Sequence, residues 1–174
     1  MSTLKVSTIQ DITNSNNAMS IDANGHVTFP SKIAFMAKIT ANQSITTSSR
    51  TKINFATSHG TARAFQTGSC YDNTNYRFDA PVAGLYYFMA SAYVASHNTS
   101  NYHILRFTLN DNAIAVGEGY SIAVPNSGSY QSQHIHCIID CSAGDTVDCR
   151  TQSGGDTSYT IEYSNSHFSG FLIG

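Results

Sequence analysis

The chain has 174 residues, a net charge of -2 and charged side chains at only 11% of its positions. A chain of this length is expected to form one domain with a short appendage. It has too few Lys and Arg residues for a protein that neutralises nucleic-acid phosphates, no segment near the ~20 apolar residues of a membrane span, and no signal-peptide run. We therefore expect no nucleic-acid partner, no membrane insertion, and folding in a cytoplasm.

Residues 1–30 differ from the rest and are expected to form an attachment segment. Asn24 and Gly25 lie between Ile21 and Val27, which predicts a β-hairpin with a type I′ turn, because that turn requires positive φ at both central residues. A segment this short, with few large apolar residues, cannot form a core alone. It is therefore predicted to pack on another chain or another protein.

Residues 31–174 are predicted to form an all-β domain, a jelly-roll β-sandwich of about ten antiparallel strands. Sustained helical periodicity is absent from the sequence, and short alternating runs are broken by Gly, Asn, Asp or Pro at intervals of about ten residues. Many short strands separated by turn residues favour two packed sheets with Greek-key connections. Strands are expected at 33–40, 51–56, 61–66, 76–80, 84–95, 102–110, 113–120, 130–141, 145–152 and 157–172, the last with a possible interruption.

Three short motifs occur in a fixed order along this domain. They are Phe78-x5-Gly84-x-Tyr86-x-Phe88, Cys141-x-x-Gly144-Asp145-x-Val147 and Phe168-x-Gly170-x-Leu172. In this order they resemble the globular domain of complement C1q, a jelly roll shared with the tumour necrosis factor superfamily. Cys141 stands where that family has Leu, Ala90 where it has an aromatic residue and Gln66 where it usually has Asn. The resemblance implies a compact homotrimer that acts by binding and recognition and is not an enzyme.

The amino-terminal segment carries a second, shorter resemblance. The runs LKVSTIQD and SIDANGHVTFPSKIAFMA are similar to the leader of many structural proteins of tailed bacteriophages. This resemblance implies a virion protein that is assembled in the host cytoplasm and contacts other virion proteins through residues 1–30.

The alternation of side chains along 84–95 predicts a strand that is apolar on both faces. The resemblance assigns Tyr86 and Phe88 to the core. The opposite face is also too apolar for water, and in a two-layer sandwich another subunit must cover it. It contains Leu85, Tyr87, Met89 and Tyr93.

Strand 130–141 is expected to extend the same interface with His134, His136 and Ile138. The resemblance places this strand beside 84–95, in the sheet that faces the threefold axis. We expect these histidines to hydrogen-bond at the interface and predict no cofactor. The alternatives are a metal held on the axis by symmetry-related imidazoles, or calcium near the trimer apex as in some relatives.

Binding residues are expected in the loops 96–101, 120–130 and 153–158, which are rich in Ser, Asn, Tyr and Gly and suit adaptable polar recognition. The candidates are Asn98, Asn101, Tyr120, Asn126, Tyr130 and Asp156. As turn carboxylates, Asp111, Asp145 and Asp156 are otherwise expected to be solvated. The four cysteines lack a CxxC pair, and unpaired core thiols are expected.

Motifs of hydrolases, zinc proteases and phosphate loops are absent from the sequence, so no catalytic residues are predicted. The leading hypothesis is a trimeric fibre or tail-tip head of a tailed phage that recognises a glycan or protein on the host surface. The alternatives are a structural head-decoration protein or trimerising cap, and a cellular C1q-like ligand or lectin.

Overall fold

The computed structural model describes residues 5–13, 15–58, 63–98, 101–112, 115–122 and 130–174, with only the backbone described in 115–122. None of these residues belongs to a helix that could cross a membrane. Their regular structure consists of β-strands. In chain order these are β1 (Thr8–Gln10), β2 (Asn17–Ile21), β3 (Val27–Thr28), β4 (Ala34–Ile39), β5 (Gln43–Ile45), β6 (Thr51–Lys52), β7 (Phe55–Ala56), β8 (Phe65–Thr67), β9 (Tyr71–Asp72), β10 (Arg77–Asp79), β11 (Gly84–Ala95), β12 (Tyr102–Leu109), β13 (Ala115–Ile122), β14 (Gln131–Cys141), β15 (Thr146–Ser153), β16 (Tyr159–Ile161) and β17 (His167–Leu172).

The amino-terminal segment forms a small sheet in the order β1-β2-β3. The predicted hairpin is confirmed, since β2 pairs with β3, but the predicted type I′ turn is wrong. Gly25 has a φ of 84°, whereas Asn24 is not in the positive-φ region. The carboxylate of Asp22 instead fixes the turn, because its Oδ1 accepts hydrogen bonds from the backbone N–H groups of Asn24 (2.8 Å) and His26 (2.9 Å).

The remaining strands form two antiparallel sheets. One sheet has the order β13-β12-β15-β10-β9, with β6 also paired to β15. In the other, β11 pairs with β14 on one side and with β16 and β17 on the other. Beyond them, β5 pairs with β16, β4 with β17, and both β7 and β8 with β4. The predicted all-β antiparallel sandwich is confirmed, and the predicted neighbours 84–95 and 130–141 are paired along their length.

Several short strands differ from the prediction. The expected strand 51–56 divides into β6 and β7, which belong to different sheets. The interruption allowed for in strand 157–172 is present, between β16 and β17. Neither β5 nor β9 was predicted, because two or three residues are too few to show an alternating pattern. Of the predicted strand 61–66, the first two residues lie outside the described ranges, and β8 begins at Phe65.

The core between the sheets is dominated by aromatic side chains. Tyr86 and Phe88 are fully buried, which confirms their predicted orientation, and the Phe88 ring lies 5.1 Å from that of Phe78. Gly170 permits this packing on the neighbouring strand. A Cβ at Gly170 would lie 2.7 Å from Cδ1 of Phe88 and 2.9 Å from Cε1 of Phe35, so a side chain there would displace the core rings.

A buried carboxylate ties together strands of the six-stranded sheet. Asp148 accepts hydrogen bonds from Thr108 and from Arg150 Nε at 2.7 Å, and it lies 2.8 Å from Lys52 Nζ. Burial alone would raise the pKa of Asp148, but the hydrogen bonds from Arg150, Lys52 and Thr108 hold it below the ordinary value of 3.8. Asp111 contacts the same two cations but remains 58% exposed.

None of the four cysteines, Cys70, Cys137, Cys141 and Cys149, forms a disulfide, as predicted. Burial raises the pKa of the thiols of Cys70, Cys137 and Cys141 to about 11. They therefore act as small apolar core groups and remain protonated at neutral pH.

Candidate functional site

The sheet that contains β11 has an apolar outer face, which we call the outer sheet face. In the single chain this face is exposed: Ile138 is 59% accessible, Leu85 45% and Phe171 41%. Tyr87 lies at its centre, opposite Ile138 on β14 and Phe171 on β17, with its ring 5.4 Å from that of Phe171. Met89 continues the face one row further along β11.

Strand β14 alternates as predicted, with Ile135 and Ile139 buried and His134, His136 and Ile138 exposed. His136 lies opposite Met89, and its ring stacks on Tyr87 at a centroid distance of 6.3 Å. The structure thus places all seven predicted interface residues on one face of one sheet. They are Leu85, Tyr87, Met89, Tyr93, His134, His136 and Ile138.

Tyr130 was predicted to be a loop residue for ligand binding. It is 56% exposed, and its ring is nearly parallel to that of Tyr93, with the centroids 4.9 Å apart. This contact places Tyr130 beside the outer sheet face. Ser91 shares the outward side of β11 with Tyr93 but is buried, at 2% exposure.

The second candidate site is a pocket at the end of the sandwich where β11 leads into β12 and β15 leads into β16. Its volume is about 580 Å³, and it is lined by residues 96–98, 101 and 155–158. The predicted loop residues Asn98, Asn101 and Asp156 come together here. Tyr120 instead lies within β13, where its backbone is opposite Ile104, and Asn126 lies outside the described residues.

Asp156 lies at the base of this pocket and is only 6% exposed. Its carboxylate accepts hydrogen bonds from the backbone N–H of Asn98 at 3.1 Å, from Asn101 Nδ2 at 2.8 Å and from His103 Nε2 at 2.9 Å. The hydroxyl of Ser153 accepts a hydrogen bond from the Asp156 backbone N–H at 2.7 Å and turns the loop inward. The prediction of a solvated turn carboxylate is therefore wrong for Asp156, because the loop folds back onto β12.

His97 and His103 are both buried beside Asp156, with their rings 5.4 Å apart. His103 reaches this position because it shares the inward side of β12 with Leu105 and because its partner on β15 is Ser153, where the pocket loop begins. Burial lowers the pKa of His103, although the hydrogen bond to Asp156 opposes this effect. The imidazole is therefore neutral at neutral pH.

Each of these two imidazoles has one ring nitrogen that forms no hydrogen bond with the described residues. Within the described ranges, His97 Nε2 and His103 Nδ1 are buried and have no hydrogen-bond partner. One donor atom from each of His97, His103 and Asp156 lies within 4.8 Å of the others. Sequence reasoning did not single out His103. The sequence pattern that could have identified His103 is its position two residues before Leu105 and four before Phe107, on the core side of an apolar strand.

The two antiparallel sheets, with β14, β11, β17 and β4 adjacent in one and β13, β12, β15 and β10 in the other, define a jelly roll of the C1q and tumour necrosis factor class. The C1q domain model matches residues 34–173. The chain therefore belongs to the C1q domain family, as the sequence motifs predicted. The proposed boundary between an attachment segment at 1–30 and a head at 31–174 remains a prediction.

Solved structures show the same fold at low sequence identity. The crystal structure of murine APRIL at pH 5.0 has a TM-score of 0.60 and 7% identity, covering 82% of this chain and 99% of that one. The globular domain of zebrafish complement 1qA has a TM-score of 0.60 and 16% identity, covering 82% and 98%. Eiger TNF from S. frugiperda has a TM-score of 0.57 and 11% identity, covering 82% and 93%. No curated protein sequence matches significantly.

Domains of this family commonly form homotrimers, bind ligands and are generally non-enzymatic.

Proposed function

We propose that this chain is a non-enzymatic, homotrimeric structural protein of a tailed phage virion, whose head recognises the host cell surface at the tip of a fibre or tail. The observation that carries the proposal is the exposed apolar outer sheet face. Separate observations support the self-association of the chain, the orientation of the head on the particle and the recognition of the host surface.

The outer sheet face supports self-association. Leu85, Ile138 and Phe171 are each more than two-fifths exposed in the single chain, around the half-buried ring of Tyr87. A contiguous apolar surface of this kind is rare on a monomeric protein and marks an interaction surface. Because members of the family commonly form homotrimers, copies of the same chain are the partners that best fit this face.

Strand β11 runs from the end of the domain beside the attachment segment toward the end that carries the pocket. Gly84, at the start of the strand, lies beside the carboxyl terminus, where Phe29 and Ile173 line one cleft. The strand is 12 residues long and therefore carries the chain ~36 Å from its first to its last Cα atom, at ~3.3 Å per residue, toward the pocket loops. A head attached through residues 1–30 would present its pocket away from the particle.

The attachment segment has apolar side chains available for a virion partner. Ile9, Val27 and Phe29 are 48%, 49% and 59% exposed. Together with the resemblance of this segment to phage structural proteins, they support docking on another component of the virion.

Three copies of each pocket per head, and several heads per particle, would raise avidity without high affinity at a single site.

The test uses the full recombinant chain, labelled with a fluorophore, and cells of the bacterium in whose phage or prophage the gene lies. We expect the protein to bind these cells and to slow adsorption of the corresponding virion. Asn101→Ala, which alters the pocket, is expected to weaken cell binding about 10-fold, the equivalent of a lost hydrogen bond of ~1.4 kcal/mol. Asn24→Ala, at the opposite end of the molecule, is the matched control and should bind as the unmodified chain does.

A soluble trimer that neither binds cells nor competes with virions would overturn the recognition role and favour a head-decoration or trimerising-cap role. The identity of neighbouring genes tests the phage assignment independently. Genes for tail or capsid proteins support it, whereas a chromosomal context without virion genes would favour a cellular C1q-like ligand or lectin.

A further inference from the structure

We propose that His97, His103 and Asp156 form a binding site for one divalent transition-metal ion of the zinc class in each chain. This inference does not rest on the proposed function, because it concerns the coordination chemistry of three buried side chains within one subunit. It also differs from a metal on the trimer axis, since His134 and His136 lie on the exposed outer sheet face and not in the pocket.

The donor set matches the preferences of Zn²⁺. Two imidazoles and one carboxylate are common ligands of zinc and of related divalent ions. Their donor atoms already lie within 4.8 Å of one another, so small side-chain rotations can bring all three into the first coordination sphere.

The unused nitrogens are the second observation. Buried polar atoms are almost always paired, and each exception requires an explanation. Here His97 Nε2 and His103 Nδ1 are buried without a hydrogen-bond partner among the described residues, and the two residues are 7% and 0% exposed. The unpaired Nε2 of His97, beside His103 and the Asp156 carboxylate, is accounted for if a cation binds between these side chains.

The surroundings hold the donors in place and leave a path to solvent. The Asp156 carboxylate is oriented by the Asn98 backbone N–H and by Asn101 Nδ2, and the His103 ring packs edge-on against Tyr159 at 4.6 Å. Such outer contacts fix the orientation of metal ligands. Three protein ligands leave a coordination position for water or for an oxygen of a bound molecule, and the pocket above the cluster admits either.

The experiment is a metal titration of the full chain after treatment with a chelator. Zn²⁺ binding is measured by calorimetry, and Co²⁺ is used as a spectroscopic probe, because its visible absorption reports the ligand geometry. We expect one ion per chain. His103→Ala and His97→Ala should each weaken Zn²⁺ binding by at least ~100-fold, the upper end of the loss that outer-shell mutations already cause.

His26→Ala is the matched control, because His26 also lies beside a carboxylate, at 2.8 Å from Asp22, but is exposed. It should leave the affinity and the stoichiometry unchanged. His97 lines the pocket whereas His103 is fully buried, so His97→Ala keeps the test valid if His103→Ala fails to fold.

Three results would overturn the proposal. The first is no saturable Zn²⁺ binding. The second is one ion per three chains, which indicates an axial site. The third is binding that His97→Ala leaves intact or that His26→Ala removes.

Discussion

Replacing Tyr87 by Asp is expected to dissociate the proposed trimer without unfolding the subunit. In the single chain Tyr87 is half-buried between Ile138 and Phe171, at the centre of the outer sheet face. A carboxylate at this position can remain hydrated in the monomer. In the proposed trimer it would lose that water beside Ile138 and Phe171, with the His136 ring as its nearest polar neighbour.

The size of the effect follows from the number of copies. An uncompensated buried charge costs about 3–5 kcal/mol. At ~3 kcal/mol for each of three subunits, the trimer loses ~9 kcal/mol, or more than six powers of ten in its association constant at ~1.4 kcal/mol per power. Because this constant scales with the square of the concentration, the concentration at which the trimer is half dissociated rises about 1,000-fold, for example from about nanomolar to about micromolar.

Light scattering after size-exclusion chromatography measures the mass, and circular dichroism checks that the Tyr87→Asp monomer is folded. Tyr102→Asp is the control, since Tyr102 is 50% exposed on the other sheet and its replacement should leave a trimer. Tyr86→Asp should instead prevent folding, because that side chain is fully buried. A monomeric unmodified chain, or a Tyr87→Asp chain that stays trimeric, would refute the assignment of this face.

Two further predictions concern stability. Gly170→Ala should lower the free energy of unfolding, measured by urea denaturation, by about 1–3 kcal/mol, because the added methyl group overpacks the core rings. Gly174→Ala is the control and should have little effect, because no atom lies within 4 Å of the added Cβ. Equal stabilities of the two variants would contradict the packing argument. Because the pKa of Asp148 is lowered in the folded chain, its contribution to stability is present above pH 3.8 and is lost as the pH falls through its folded-state pKa. Asp148→Asn should therefore lower the free energy of unfolding by about 3 kcal/mol at neutral pH, and it should reduce the fall of the thermal unfolding temperature at acid pH. Asp111→Asn, at an exposed residue, should lower the free energy of unfolding by less than about 1 kcal/mol. If the unfolding temperature of Asp148→Asn falls at acid pH as steeply as that of the unmodified chain, this assignment is contradicted.

The long strands were predictable because each contains several alternations. The bounds of β11 are those predicted, and β14 begins one residue later than predicted. Tyr86 and Phe88 are buried while Leu85 and Met89 are exposed, as the period of two requires. The short strands β5 and β9 were missed because their pairing partners, and not their own residues, make them strands.

The pocket was only partly predictable. Asn98, Asn101 and Asp156 were chosen from loop composition, and the structure brings them together. The burial of Asp156 was not foreseen, because a turn carboxylate is ordinarily solvated and no local pattern shows that Ser153 directs it inward. His103 was missed because it lies within an apolar run, where a histidine is indistinguishable from an ordinary core residue.

The sequence by itself determined the fold class, the family and the two faces of β11, since each depends on residue types at fixed local spacing. The tertiary structure alone decided which polar residues meet. His97 and Asp156 are 59 positions apart in the sequence, and they become neighbours only because β12 pairs with β15 and carries the two loops to the same end of the sandwich. Pairing between distant strands is set by the packing of the whole domain, so no local pattern could have revealed this cluster.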